Sequence, residues 1–130
     1  MGNAWVSFSV TLLGLLLVVE QAPGGRADLS KDPPENARSV TIKNFEFAPP
    51  TVSIAAGGTV RWINADVANH QISTGVAEGN RSRPDGRVSS PLLFRGDEFS
   101  ATFPTPGEYP YYCRVHPFMR ATIVVKPRKP

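Results

Sequence analysis

The chain has 130 residues, with 14 Lys+Arg against 11 Asp+Glu, a net charge of +3, and a single cysteine. That length allows one domain and no second core. The mild positive balance excludes the dense basic surface of a nucleic-acid binder, and one cysteine excludes an internal disulfide.

Residues 4–19, "AWVSFSVTLLGLLLVV", form an uncharged apolar run followed by the breaker-rich "EQAPGGRADLS". The run is shorter than the roughly 20 residues that span a bilayer, and it suits the h-region of a secretory signal. Gly25-Arg26-Ala27 places small residues at the minus-three and minus-one positions, so residues 1–27 are expected to be a signal peptide cleaved after Ala27. The n-region Met1-Gly2-Asn3 carries no Lys or Arg, which leaves an uncleaved membrane anchor as the alternative. Export, to a periplasm, is the expected fate. A lone thiol in such an oxidising compartment needs burial or a metal to protect it.

Residues 28–38, "DLSKDPPENAR", have no hydrophobic period and read as a flexible lead-in. A domain is predicted over 39–126. "SVTIKNFEF" alternates at Val40 and Ile42, then shifts phase to Phe45 and Phe47, which predicts a bulge near Lys43-Asn44. "TVSI" puts Val52 and Ile54 inward, "AAGG" turns the chain, and "TVRWIN" puts Val60 and Trp62 on the same face. The Gly/Ser/Asn/Pro-rich stretch from Ala65 to Leu93 reads as a long connection with one or two short strands starting near His70. "EFSATF", "YPYYC" and "ATIVV" complete the strands, and the chain ends in the basic, Pro-rich "KPRKP", with residues 127–130 as a tail beyond the domain. Pro110, inside "EYPYYC", is expected at an edge, at a bulge or facing away from a partner strand. About seven short strands with Gly/Pro turns predict an all-β fold, an antiparallel β-sandwich of Greek-key type. Trp62, Phe99, Phe103, Tyr109 and Tyr111 are read as its core.

The chemistry sits in "CRVHPFM", where Cys113, His116 and Met119 fall within seven residues. The chain must reverse between "YPYYC" and "ATIVV", so the segment is a tight loop that turns three donor side chains round one point. The other histidine, His70, follows strand "TVRWIN" and would return to the same pole. Taken singly, each residue has a plainer role: Cys113 as a small buried hydrophobe, His70 as a polar loop residue, Met119 as core filler, His116 as a strand terminator. Together, two imidazoles, a thiolate and a thioether form a soft donor set. Structural zinc sites have little use for methionine, whereas two His and one Cys in a plane with a weak axial Met is the arrangement of a blue-copper electron-transfer centre.

"GTVRWINADVANHQI", "PGEYPYYCRVHPFM" and "ATIVV" resemble the cupredoxins, the plastocyanin/azurin family, and within them most closely the amicyanins, whose short Cys-x-x-His-Pro-x-Met loop is matched here. The resemblance covers Val40 to Val125. It implies a cupredoxin sandwich holding one copper ion, with His70, Cys113 and His116 as equatorial ligands and Met119 as the axial one. It also implies that the ring edge of His116 reaches the surface as the electron path. An apolar docking patch is implied around that edge, to which Pro117 and Phe118 belong by position and Pro49, Pro50, Pro91 and Leu92 by loop placement. Asn69-His70-Gln71 departs from the family's usual Pro-His-Asn, so the potential does not carry over.

These readings converge on a soluble, monomeric one-electron carrier whose partners are redox proteins. Arg81, Arg83 and Arg87 in one stretch, with Arg114 and Arg120 flanking the loop, would favour acidic partners. A copper-holding or delivery protein would use the same ligands and is the alternative. A copper enzyme would need a second site with further histidines, and the chain has two in all.

Overall fold

The computed structural model describes residues 36–130, together with the isolated position 2. The expected signal peptide, residues 1–27, and most of the expected lead-in lie outside the described residues. Among those described, no helix is long and apolar enough to cross a membrane.

Among the described residues nine strands are formed: β1 (Ala37–Lys43), β2 (Glu46–Ala48), β3 (Thr51–Ala55), β4 (Gly58–Asn64), β5 (Ile72–Glu78), β6 (Arg81–Ser89), β7 (Glu98–Phe103), β8 (Gly107–Cys113) and β9 (Arg120–Lys126). They make two sheets, ordered β2-β1-β4-β7 and β3-β9-β8-β5-β6. The alternating apolar residues face each other between the sheets. Val40, Ile42, Val60, Trp62 and Ile123 are completely buried, and Phe103 and Tyr111 nearly so. Trp62 meets Tyr111 edge-on at 5.5 Å and stacks on Phe99 at 5.9 Å, geometries that aromatic rings favour. The expected β-sandwich is present.

Its sheets are mixed rather than purely antiparallel. β1 pairs parallel with β4, and β3 parallel with β9. Parallel neighbours need a crossover. Here the chain supplies it without a helix, by passing from β1 and β2 into the opposite sheet as β3 and returning as β4. Part of the expected lead-in is also strand. Ala37 and Arg38 pair with Thr59 and Val60, and the Asn36 side chain accepts the Ala55 amide. Backbone pairing holds this stretch where hydrophobic periodicity gave no sign of it.

The phase shift after Ile42 is a hairpin, not a bulge. Ile42 pairs with Phe47 and Lys43 with Glu46, leaving Asn44 and Phe45 as a two-residue loop with φ of 53° and 59°. Positive φ at both positions is the type I′ pattern whose twist suits a tight hairpin. Phenylalanine is an unusual occupant of that region.

The Gly-rich connection contains two substantial strands, β5 and β6, and the Arg81–Arg87 segment lies in β6 at the edge of the larger sheet. The β5–β6 register jumps from Ser73↔Ser89 to Gly75↔Pro84, so β6 carries extra residues. Thr74 fastens this irregularity: its Oγ1 donates to Asp85 and accepts the Val88 amide. The Arg87 guanidinium lies 5.0 Å above the Tyr109 ring. On its other side, β5 pairs with β8 only from Ile72↔Cys113 to Thr74↔Tyr111. The ladder stops just before Pro110, which has no N–H to continue it; this proline is paired with Thr122 of β9 instead.

Gly75 sits at the jump with φ of +130°, and a Cβ there would lie 2.2 Å from the Arg83 carbonyl oxygen. Gly75→Ala is therefore expected to destabilise the fold by about 1–3 kcal/mol, the usual cost of forcing atoms into a packed position. Urea titration of the copper-free protein measures this, and an unchanged midpoint would contradict the close approach.

Candidate metal centre

Cys113 ends β8 and is fully buried, and its amide donates to the Met119 carbonyl at 3.0 Å. The Met119 amide in turn donates to the His116 carbonyl at 2.9 Å. These two bonds close a loop just before β9 starts at Arg120, and they fold Cys113, His116 and Met119 round one pole of the sandwich. Met119 is buried.

His70 arrives from the other side. Its amide and carbonyl exchange hydrogen bonds with Leu93, an isolated antiparallel bridge that holds it against the connection leading to β7. The next residue joins it to the loop: the Gln71 amide donates to Cys113 Sγ at 3.4 Å, and the Gln71 carbonyl accepts the Arg114 amide at 2.8 Å.

The donor atoms of His70, Cys113 and His116 all lie within 4.8 Å of one another. Cys113 Sγ is 3.7 Å from His70 Nδ1 and 3.8 Å from His116 Nδ1. Those separations are too long for strong hydrogen bonds, but they suit a shared ion. Each is shorter than the sum of one metal–nitrogen and one metal–sulfur bond, about 2.0–2.1 Å and about 2.3 Å, so one ion could reach both atoms. The residues present fit a metal, and the soft donors with two imidazoles suit copper.

Asp66 is the residue that motif spacing misses. Its buried carboxylate accepts the Asn44 amide at Oδ1 (2.8 Å), the Phe45 amide at Oδ2 (2.9 Å) and His70 Nε2–H at Oδ2 (2.9 Å). Holding Nε2 as the donor leaves Nδ1 to face the sulfur. Burial pushes the Asp66 carboxyl up, but the amides of Phe45 and Asn44, followed by His70, outweigh it and hold the group below the ordinary range. Asn64 stiffens this segment. Its side-chain carbonyl accepts the Asp66 amide, and its Nδ2 donates to the carbonyls of Ala68 and Leu93. The one available signal was the four-residue spacing from Asp66 to His70, which has no meaning outside a helix until the fold is known.

His116 is partly exposed, and the Phe45 ring meets it edge-on at 5.0 Å and 90°. Phe45 also meets His70 at 5.7 Å and Phe118 at 6.4 Å. Phe118 lies 6.0 Å from the His116 ring, and Phe118, Val115, Phe94 and Leu92 are exposed. Of the residues expected in an apolar patch, Pro117 is half-buried while Phe118, Pro91 and Leu92 are exposed. Pro49 and Pro50, also exposed, lie between β2 and β3.

A profile of the copper-binding proteins of the plastocyanin/azurin family matches residues 35–126. Amicyanin-alpha of Methylorubrum extorquens is 31% identical over 126 residues, covering 95% of this chain and 93% of that protein. Among solved structures, an amicyanin in its reduced Cu(I) form matches with a TM-score of 0.57 and 32% identity, covering 69% of this chain and 82% of the other. The copper-containing nitrite reductase of Thermus scotoductus matches at a TM-score of 0.57 and 29% identity, covering 71% of this chain but only 22% of the enzyme.

Burial, with the charge of His70 adding to it, pulls His116 below the ordinary histidine range, against a smaller opposing pull from Asp66. The folded state then binds fewer protons than the unfolded chain, so stability of the copper-free protein should be lost as pH falls below about 6.5. NMR titration of the His116 ring protons in copper-free protein is expected to give a midpoint below that value. A midpoint above it would contradict the burial of this ring.

Proposed function

This chain belongs to the plastocyanin/azurin family of copper-binding proteins, and from that premise we propose that His70 Nδ1, Cys113 Sγ and His116 Nδ1 hold one copper ion, with Met119 as the axial donor. The function is one-electron transport by a type 1 copper centre. The observation that carries the ligand assignment is the pair of sulfur–nitrogen separations, 3.7 and 3.8 Å, at a buried cysteine.

Copper, when bound, supplies a one-electron couple between Cu(I) and Cu(II). The chain's own part is to keep the donor set fixed. Cys113 is held by the Gln71 amide at sulfur and by Met119 at its own amide, and His70 is held by Leu93 and Asp66. Donors fixed in this way have little to rearrange when charge changes. Burial of Cys113, His70 and Met119 excludes water from three of the four donors. His116 alone has an open edge, and it is the point at which an electron enters and leaves. Both histidines of the chain are used here, leaving none for a second metal centre within it.

The partners are redox proteins that place their own centre against the His116 edge. Phe118, Phe94 and Val115 would supply apolar contact area around it. Lys43, Arg95, Arg114 and Arg120 are exposed on the segments that carry these residues, against Glu46 and Asp97, a balance that favours an acidic rim on the partner. Export to a periplasm accords with a protein whose one thiol is held by a metal, and the apolar run at residues 4–19 is its signal.

Two substitutions test the ligands. Cys113→Ser should abolish the intense visible charge-transfer band of the copper-loaded protein, and a surviving band would refute the assignment. Met119→Gln should retain copper while lowering the reduction potential, because the axial ligand tunes that quantity. Voltammetry giving an unchanged potential would argue against the axial role.

A further inference from the structure

The Asn44–Phe45 turn and the first histidine are separated by the length of β2, β3 and β4 in the chain, yet one carboxylate holds both. Asp66 accepts the two turn amides and His70 Nε2–H, using Oδ2 twice. The turn is in a conformation that a bulky residue adopts only under constraint, with Phe45 at φ of 59°. That constraint has a visible product. It places the Phe45 ring edge-on against His116 and close to His70, at 5.0 and 5.7 Å. A phenylalanine is a poor choice for a type I′ turn, where Asn, Asp and Gly are preferred, so the turn sequence alone does not account for it. The carboxylate does, because two N–H groups converging on a buried anion make charge-assisted bonds stronger than neutral ones.

We propose that Asp66 is a positioning residue for both imidazoles at once: it fixes the His70 ring through Nε2, and it fixes the His116 ring through the strained turn that presses Phe45 against it. The proposal rests on the ligand assignment above, but its first readouts need no metal. The two histidines approach from different elements, one from the segment after β4 and one from the β8–β9 loop. Asp66 lets a single group set their relative orientation. Asp66 is itself fixed, since its backbone amide donates to Asn64 Oδ1 and Asn64 Nδ2 ties the same segment to the carbonyls of Ala68 and Leu93. Loss of the carboxylate would therefore release both rings, whereas loss of the Phe45 ring would release only His116.

NMR of the copper-free full chain, above the histidine range, reads both limbs. In the wild type, ring nitrogen shifts should report His70 as the Nε2–H tautomer, and the Asn44 and Phe45 amides should exchange slowly. Asp66→Ala and the near-isosteric Asp66→Asn should speed exchange at both amides by about tenfold or more, the weight of a hydrogen bond to a charged group. They should also lose the single tautomer. Phe45→Gly, at home in the left-handed region, should keep the His70 tautomer while giving His116 a mobile ring. With copper added, the Asp66 variants should bind it about 10–100-fold more weakly. If Asp66→Ala does not fold, Asp66→Asn carries the test. Retention of the tautomer or of the amide protection in a folded Asp66 variant would overturn the proposal, because either result removes one limb. A lowered melting point with both retained would show a merely structural residue and overturn it equally. A copper affinity unchanged in variants that lose both would sink the ligand assignment instead.

Discussion

One backbone hydrogen bond, from the Cys113 amide to the Met119 carbonyl, sets the geometry of the whole pole. It closes the loop at the point where β8 and β9 stop pairing, so the same ladder that builds the larger sheet also fixes where the sulfur and its neighbouring donors emerge. The β8–β9 register runs from Gly107↔Val125 to Tyr112↔Arg120, and the loop continues it by one step. Cys113, His116 and Met119 therefore need no tertiary search once this hairpin forms. Only His70 must be brought from elsewhere, and it comes by an isolated bridge to Leu93 and by the Gln71 contacts that stitch its strand to the loop.

That second arrangement is polar and buried, and its members satisfy one another. Asn64, Asp66, His70 and the Leu93 backbone form a closed network at the end of β4, with three charge-assisted bonds on one carboxylate. Networks of this kind are costly when partly satisfied and rigid when complete. The hydrophobic sandwich provides stability, and this network provides the specific orientation that packing alone would not give to an imidazole.

The cluster of His70, Cys113 and His116 was legible in the sequence because two of its members are local and the third had only one candidate. The strands that carry the core were equally legible, since Val40, Ile42, Val52, Ile54, Val60 and Trp62 alternate cleanly. What escaped depends on pairing that a linear pattern does not encode. The shift at Phe45 looks the same whether a residue is inserted or the chain turns back, and only the cross-strand register separates the two. One or two short strands were expected near His70, but the length of β5 and β6 did not show, because Ser73, Thr74 and Gly75 are buried without being apolar and β6 is exposed along almost its whole length. The parallel pairs escaped for a related reason: alternation identifies a strand but not its direction relative to a neighbour. Asp66 was invisible because its value lies in what three separate segments direct at it.

The exposure of β6 has its own consequence. As the outer strand of the larger sheet it presents unpaired backbone groups, the kind of rim onto which a foreign strand can add. Exposed cations at Arg81 and Arg83, a proline at position 84 and the register jump beside Gly75 all spoil that rim for zipper-like growth. An outer strand made this irregular is a poor template for a second copy of itself, so the larger sheet ends at β6 instead of growing from one molecule to the next.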